Sequence, residues 1–128
     1  MKLLLDTHTF IWWSGSSGKL SEKVLVACED NNNSLILSVV SVWEMQIKMQ
    51  LGKLKLRHSL KYLIESQQNI NKLQILPISL DHIFMLENLP MYHHDPFDRL
   101  LISQAIEDKL LLVSKDNAFS DYDVNLYW

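Results

Sequence analysis

The sequence predicts an α/β fold, a three-layer α/β/α sandwich around a central, mainly parallel β-sheet. Three observations carry this. Leu3-Leu4-Leu5, Leu35-Ile36-Leu37 and Leu110-Leu111-Leu112-Val113 are short, continuously apolar runs without polar alternation, the pattern of strands covered on both faces. The stretches between them carry helical periodicity and helix-start residues. Strands alternating with helices need crossover connections, which yield parallel pairing with helices on both faces of the sheet.

Taken in order, the first strand ends at Asp6, and Thr7 to Trp13 opens a helix with Phe10, Ile11 and Trp13 as apolar surface. Ser14-Gly15-Ser16-Ser17-Gly18 is a loop by composition. Ser21 caps a second helix through Val24, Leu25 and Ala27 that stops at the turn signal Asn31-Asn32-Asn33. After Leu35–Leu37, Ser38 or Ser41 caps a helix whose apolar stripe reads Val40, Glu44, Ile47 and Leu51, and Gly52 ends it. A further helix covers about Ser59 to Gln68, with Leu60, Leu63 and Ile64 inward. Leu73–Leu76 is a strand closed by Pro77, and Ser79 caps a short helix that Pro90 stops. Asp95-Pro96 then starts a helix reaching Lys109: Asp accepts free backbone N–H groups and Pro tolerates the first helical position. Leu110–Val113 is the most buried strand, Ser114-Lys115-Asp116 sits at its carboxyl end, and Asp121–Trp128 offers a last, weak strand through Val124 and Leu126.

Composition narrows the class. A chain of 128 residues has the size of one domain with a single substantial core. Its 48% hydrophobic content, with only 3 Gly and 3 Pro, describes a compact rather than a disordered chain. The lone Cys28, among Val24, Leu25, Val26 and Ala27, forms no internal disulfide and reads as a packing residue in a reducing compartment. No apolar run approaches the ~20 residues of a membrane span, and the few Leu before Asp6 are too short for a signal peptide. The expected location is the cytoplasm. A net charge of −3 argues against a protein that coats DNA but leaves room for a nuclease, since a carboxylate metal site is acidic until its cation arrives.

The chemistry concentrates in acids placed where acids are costly. Asp98 heads the apolar stripe of its own helix, followed by Leu101, Ile102 and Ala105. Glu44 repeats the oddity. A carboxylate aimed toward a core needs a cation or a shared metal, because an isolated buried charge costs several kcal/mol. Asp6 and Asp116 follow strands at their carboxyl ends, where parallel sheets bind ligands.

These residues resemble the PIN domain, and within it the VapC-type toxins of bacterial toxin–antitoxin pairs. The likeness rests on Leu-Leu-Leu-Asp-Thr-His at residues 3–8, Glu44 in the second crossover, His-His-Asp-Pro-Phe-Asp-Arg-Leu-Leu-Ile at 93–102, and Ser-Lys-Asp at 114–116. It covers nearly the whole chain, and the His-x-Asp-Pro-Phe-Asp-Arg segment is its most specific part. It implies a nuclease whose Asp6, Glu44, Asp98 and Asp116 hold Mg²⁺ or Mn²⁺ and cut RNA, with Asp116 at the family's most variable position. It also implies an RNA substrate, a VapB-like antitoxin whose basic residue can block the acidic site, and a homodimer.

Within that implication, Asp6 and Asp98 are primary ligands, Glu44 is a ligand or orients the water, and Asp116 serves a second metal or a metal-bound water. Mg²⁺ prefers oxygen ligands and keeps several waters. A metal-bound water is more acidic and can attack phosphorus. Hydroxyls of Thr7 and Ser114 are expected to hydrogen-bond the carboxylates, and Asp95 caps the helix beside the site. Lys48, Lys53, Lys55, Arg57 and Lys61, in a stretch without an acid between Glu44 and Glu65, are candidates for RNA phosphates.

Plainer roles compete. Asp6 also reads as a helix cap, Asp98 as a first-turn acid paired with Arg99 or another cation, Glu44 as an i, i+4 partner of Lys48, and Asp116 as a turn residue, each less favoured than the shared site. His93 and His94 read as loop or packing residues, because no Cys or second His cluster completes a zinc set. Trp12, Trp13 and Trp43 suit packing or base stacking. Two other functions are considered: a phosphatase or phosphoacceptor domain with a nucleophilic Asp6, disfavoured because His8 stands where the haloacid-dehalogenase type needs a second Asp, and a non-catalytic PIN-fold module that binds RNA or protein.

Overall fold

A computed structural model describes all 128 residues. Five strands, β1 (Lys2–Leu5), β2 (Ser34–Ser38), β3 (Gln74–Leu76), β4 (Leu111–Val113) and β5 (Leu126–Tyr127), form one sheet in the order β3-β2-β1-β4-β5. Every pairing is parallel. The six α-helices are α1 (Thr7–Gly15), α2 (Glu22–Glu29), α3 (Val39–Gln50), α4 (Leu60–Asn71), α5 (Leu80–Met85) and α6 (Pro96–Glu107).

Register explains why the strands are apolar throughout. Leu3, Leu35 and Leu111 pair across the sheet, as do Leu4, Ile36 and Leu112, and Leu5, Leu37 and Val113. Because side chains alternate faces, Leu3, Leu5, Leu35 and Leu37 enter one core with Phe10, Val24 and Met45. Leu4, Ile36 and Leu112 enter a second core with Leu101, Ile102 and Phe119. Both faces are covered, which is the expected three-layer sandwich.

Boundaries shift by local chemistry. The loop expected at 14–18 is shorter: α1 runs on through Gly15, and a 3₁₀ turn covers Ser17–Lys19. Ser38, not Ser41, caps α3, while Gly52 takes the left-handed φ of 72° that lets the chain leave it. The helix expected to reach Lys109 ends at Glu107, because Lys109 adopts φ 56° and Leu110 N–H turns back to Ala105 O at 2.8 Å. Leu110 therefore precedes β4 and packs in the core.

The stripe read along α3 is corrected. Its fully buried residues are Val40, Ser41 and Met45, while Leu51 is exposed. Ser41 is polar and hides the core-facing row in the sequence, but it is buried because its hydroxyl meets Thr7 Oγ1 at 3.0 Å.

Strand order fixes where a site can form. The chain moves outward from β1 through β2 to β3, then returns to β1's other side for β4 and β5. The connections therefore diverge between β1 and β4, opening a crevice at their carboxyl ends. Asp6 and Ser114 are the first residues beyond those ends.

Candidate active site

Asp6 is anchored at this crevice. Its N–H donates to Val113 O at 3.1 Å, and Thr9 Oγ1 donates to the same carbonyl at 3.0 Å. Its carboxylate Oδ1 accepts Thr9 N–H at 2.8 Å, so Asp6 does cap α1. Only one oxygen is used, and no protein donor meets Oδ2. Asp116 is built alike: its N–H donates to Ser114 Oγ at 3.0 Å, and its Oδ1 accepts Ala118 N–H at 2.9 Å, opening the 3₁₀ turn Asn117–Asp121. Ser114 thus supports the backbone rather than a carboxylate, contrary to expectation, because the tight turn after β4 offers its hydroxyl a nearby N–H. Asp6 and Asp116 line one open pocket of about 270 Å³ with His8, Trp12 and Lys115.

Glu44 reaches the same end from α3. Thr7 Oγ1 donates to its Oε1 at 2.8 Å. A hydroxyl has one proton, so Ser41 supplies the hydrogen bond to Thr7. Lys48 Nζ lies 2.9 Å from the other oxygen, with the Glu44 side chain 13% exposed. The expected Thr7 contact and the plainer Lys48 pair are both present, one on each oxygen.

Asp98 stands in the first turn of α6, whose cap Asp95 accepts the N–H groups of Phe97 at 2.8 Å and Asp98 at 3.3 Å. Burial holds its carboxyl above the ordinary value of 3.8; the charges of Asp95 and Glu44 add to the rise and His93 partly offsets it. Arg99 is not its partner. The guanidinium is buried and donates to the carbonyls of Pro90 (2.8 Å), Leu86 (3.3 Å) and Leu89 (3.4 Å) and to Tyr122 Oη (3.3 Å). His93 Nε2 instead meets Asp98 Oδ2 at 2.7 Å, leaving Oδ1 without a protein donor.

Residues 3–125 match the PIN domain family. The chain belongs to this family. The PIN domain is 28% identical over 116 residues to Ribonuclease VapC22 of Mycobacterium tuberculosis, a match covering 89% of this chain and 86% of that one. Among solved structures it resembles VapBC2 from Rickettsia felis bound to a promoter DNA fragment, with TM-score 0.73, 19% identity, and 99% and 98% of the two chains covered. It also resembles DNA-bound VapBC from Salmonella typhimurium, with TM-score 0.68, 14% identity, and 99% and 97% covered. At such identities these two structures establish the likeness of fold.

The four acids of this PIN domain lie as two pairs at one end of the molecule. Asp6 and Asp116 share a pocket, Glu44 and Asp98 are close enough to raise the latter's pKa, and Thr7, next to Asp6, ties α1 to Glu44. No three Asp, Glu, His or Cys side chains stand close enough to form a closed metal cage. The donor set nevertheless fits a hard cation: Asp6, Asp98 and Asp116 each fix one oxygen and leave the other without a protein donor, and Mg²⁺ binds through one or two carboxylates plus waters.

Of the basic residues, Lys48 is engaged with Glu44 and Lys61 lies 3.9 Å from Glu65, whereas Lys53, Lys55 and Arg57 are exposed and without acidic partners. Sequence reasoning missed His93 as the partner of Asp98. The available signal was its place in the loop leading into Asp95-Pro96, which folds it back over the first turn of α6.

Proposed function

We propose that this PIN domain is a divalent-metal-dependent endoribonuclease of the VapC type, with Asp6, Glu44, Asp98 and Asp116 as its catalytic and metal-binding residues. One observation carries the reading: Asp6, Asp98 and Asp116, from three different connections of the sheet, are each held through one oxygen and left without a protein donor at the other. Mg²⁺ or Mn²⁺ bound there supplies a more acidic water and offsets charge on the phosphoryl oxygens. The chain's own part is to hold the acids in place. Thr9 fixes Asp6, His93 fixes Asp98, and Thr7 with Lys48 fixes Glu44. Asp95, as helix cap, sets the turn that carries Asp98. Thr7 supports the site, and Ser114 supports it through the Asp116 backbone.

On this reading the substrate is RNA, with Lys53, Lys55, Arg57 and Lys61 as phosphate contacts, while Lys48 stays with Glu44. The 128 residues act as one domain in the cytoplasm; no helix is long and apolar enough to cross a membrane. A VapB-like antitoxin is the partner, supported by the VapBC complexes among the fold neighbours. A homodimer is supported by the exposed apolar residues Leu80, Ile83 and Phe84 on α5, with Met91 and Tyr92 beyond it.

The test is cleavage of total RNA with Mg²⁺ or Mn²⁺, with EDTA, and with Asp6→Asn or Asp98→Asn protein. Cleavage that needs the metal and is lost in both folded variants supports the reading. Undiminished cleavage in both variants rejects the site.

A further inference from the structure

We infer that Trp12, His8 and Lys115 form a nucleotide subsite beside the acids, in which Trp12 stacks on one unpaired RNA base and Lys115 contacts its phosphate. This rests on the proposed RNA-cleaving function and deepens it by naming how the strand is held.

The pocket that contains Asp6 and Asp116 is completed by only these three side chains. Its composition is a π-face, a cation and two carboxylates, the set needed for a base, a phosphate and a metal. Trp12 lies on α1, whose start Asp6 caps, so the indole is tied to the acid by less than two helical turns. It is half-buried, held edge-on by Trp128 at a centroid distance of 6.0 Å and flanked by His8 at 5.9 Å with a tilt of 39°. The ring thus has aromatic neighbours on two sides while still lining an open pocket. Lys115 and His8 are exposed and form no salt bridge. Lys115 lies between Ser114 and Asp116, whose mutual hydrogen bond fixes the turn that presents it.

The other tryptophans differ. Trp13 buries its indole N–H away from any partner, and Trp43 packs edge-on against Phe97 at 5.0 Å. Neither lines the pocket of Asp6. A stacked base contributes affinity independent of its identity, since every base has a π-face. The subsite therefore holds single-stranded RNA in place without choosing its sequence.

The experiment measures binding of fluorescein-labelled hexauridylate with Ca²⁺ replacing Mg²⁺, using wild type, Trp12→Ala, Trp12→Phe, His8→Ala and Lys115→Ala. Circular dichroism and the Mn²⁺-induced thermal shift are read on each. Trp12→Ala is expected to bind about 5- to 150-fold more weakly, the range one stacked base contributes, with Trp12→Phe recovering most of the loss and the Mn²⁺ shift unchanged. Lys115→Ala is expected to reduce the slope of log K against log salt by about 0.7. A hexamer with an abasic residue at each position in turn should lose affinity at one position in wild type and at none in Trp12→Ala. Equal binding by folded Trp12→Ala and wild type, or by intact and abasic hexamers, overturns the inference. If Trp12→Ala unfolds, the abasic series on wild type decides alone. Failure of the underlying function is distinguishable: wild type would then neither bind the hexamer nor shift with Mn²⁺.

Discussion

His93 Nε2 lies 2.7 Å from Asp98 Oδ2, and the histidine's own backbone N–H donates to Tyr122 Oη at 2.9 Å. Tyr122 in turn donates to Pro90 O at 2.8 Å and accepts from Arg99. A buried arginine thus fixes the loop that brings an imidazole onto a carboxylate one residue away from it. An ionised carboxylate only accepts, so the ring donates and sets its orientation.

Removing that donor should weaken metal binding without unfolding the chain. His93→Ala is expected to lower Mn²⁺ affinity about 10- to 100-fold, as loss of an outer partner of a ligating carboxylate typically does. His93→Gln, which keeps a donor, should recover part of it. Titration calorimetry with Mn²⁺ measures both, and unchanged affinity in His93→Ala would remove His93 from the site.

The raised pKa of Asp98 makes the acid a burden on the metal-free fold. The folded state holds this proton more tightly than the unfolded chain, so the contribution to stability is complete below the ordinary value of 3.8 and is lost as pH rises through the raised one. At neutral pH, ionised Asp98 therefore costs stability. Asp98→Asn should melt above wild type in EDTA at pH ~7, with the gap narrowing toward pH ~4. Mn²⁺ should raise the melting temperature of wild type and leave that of Asp98→Asn nearly unmoved. Differential scanning fluorimetry across pH reads all of this.

Arg99 should matter for folding rather than chemistry. Its guanidinium satisfies the carbonyls of Leu86, Leu89 and Pro90 from a buried position. Lysine cannot span the three. Arg99→Lys is expected to cost about 3 kcal/mol, because buried acceptors lose charged donors. Urea denaturation measures it, and a change below about 0.5 kcal/mol would class the residue with ordinary surface positions.

Cys28 should be inert. Burial, with Glu29 adding, pushes its thiol up to about 11, and the thiolate is the reacting form. Native protein at pH 8 should react with a thiol reagent far more slowly than urea-unfolded protein. Equal rates would show that the Cys28 wall of the core opens readily.

Much of the fold was legible because its signals are local. Continuous apolar runs mark β1, β2 and β4, since a strand covered on both faces has no polar side to show. Caps at Ser21, Ser38, Ser79 and Asp95 accept the backbone N–H groups expected of them, and Ser59 caps α4 in the same way. The stripe on α3 misled because Ser41 is buried by a hydrogen bond to Thr7, thirty-four residues away in sequence. Arg99 misled for a similar reason: its partners are carbonyls of a preceding loop, and carbonyls leave no mark in a sequence.

The sequence by itself determined the alternation of strand and helix, the helix starts, and the place of Asp98 at the head of the apolar stripe of its helix. Those follow from backbone propensity and periodicity, which act over a few residues. Only the tertiary structure decided that β4 returns beside β1, that His93 rather than Arg99 meets Asp98, and that Trp12 rather than Trp13 faces the pocket of Asp6. These depend on which distant surfaces meet when two cores close on opposite faces of one sheet, and that choice is made by packing the whole chain at once.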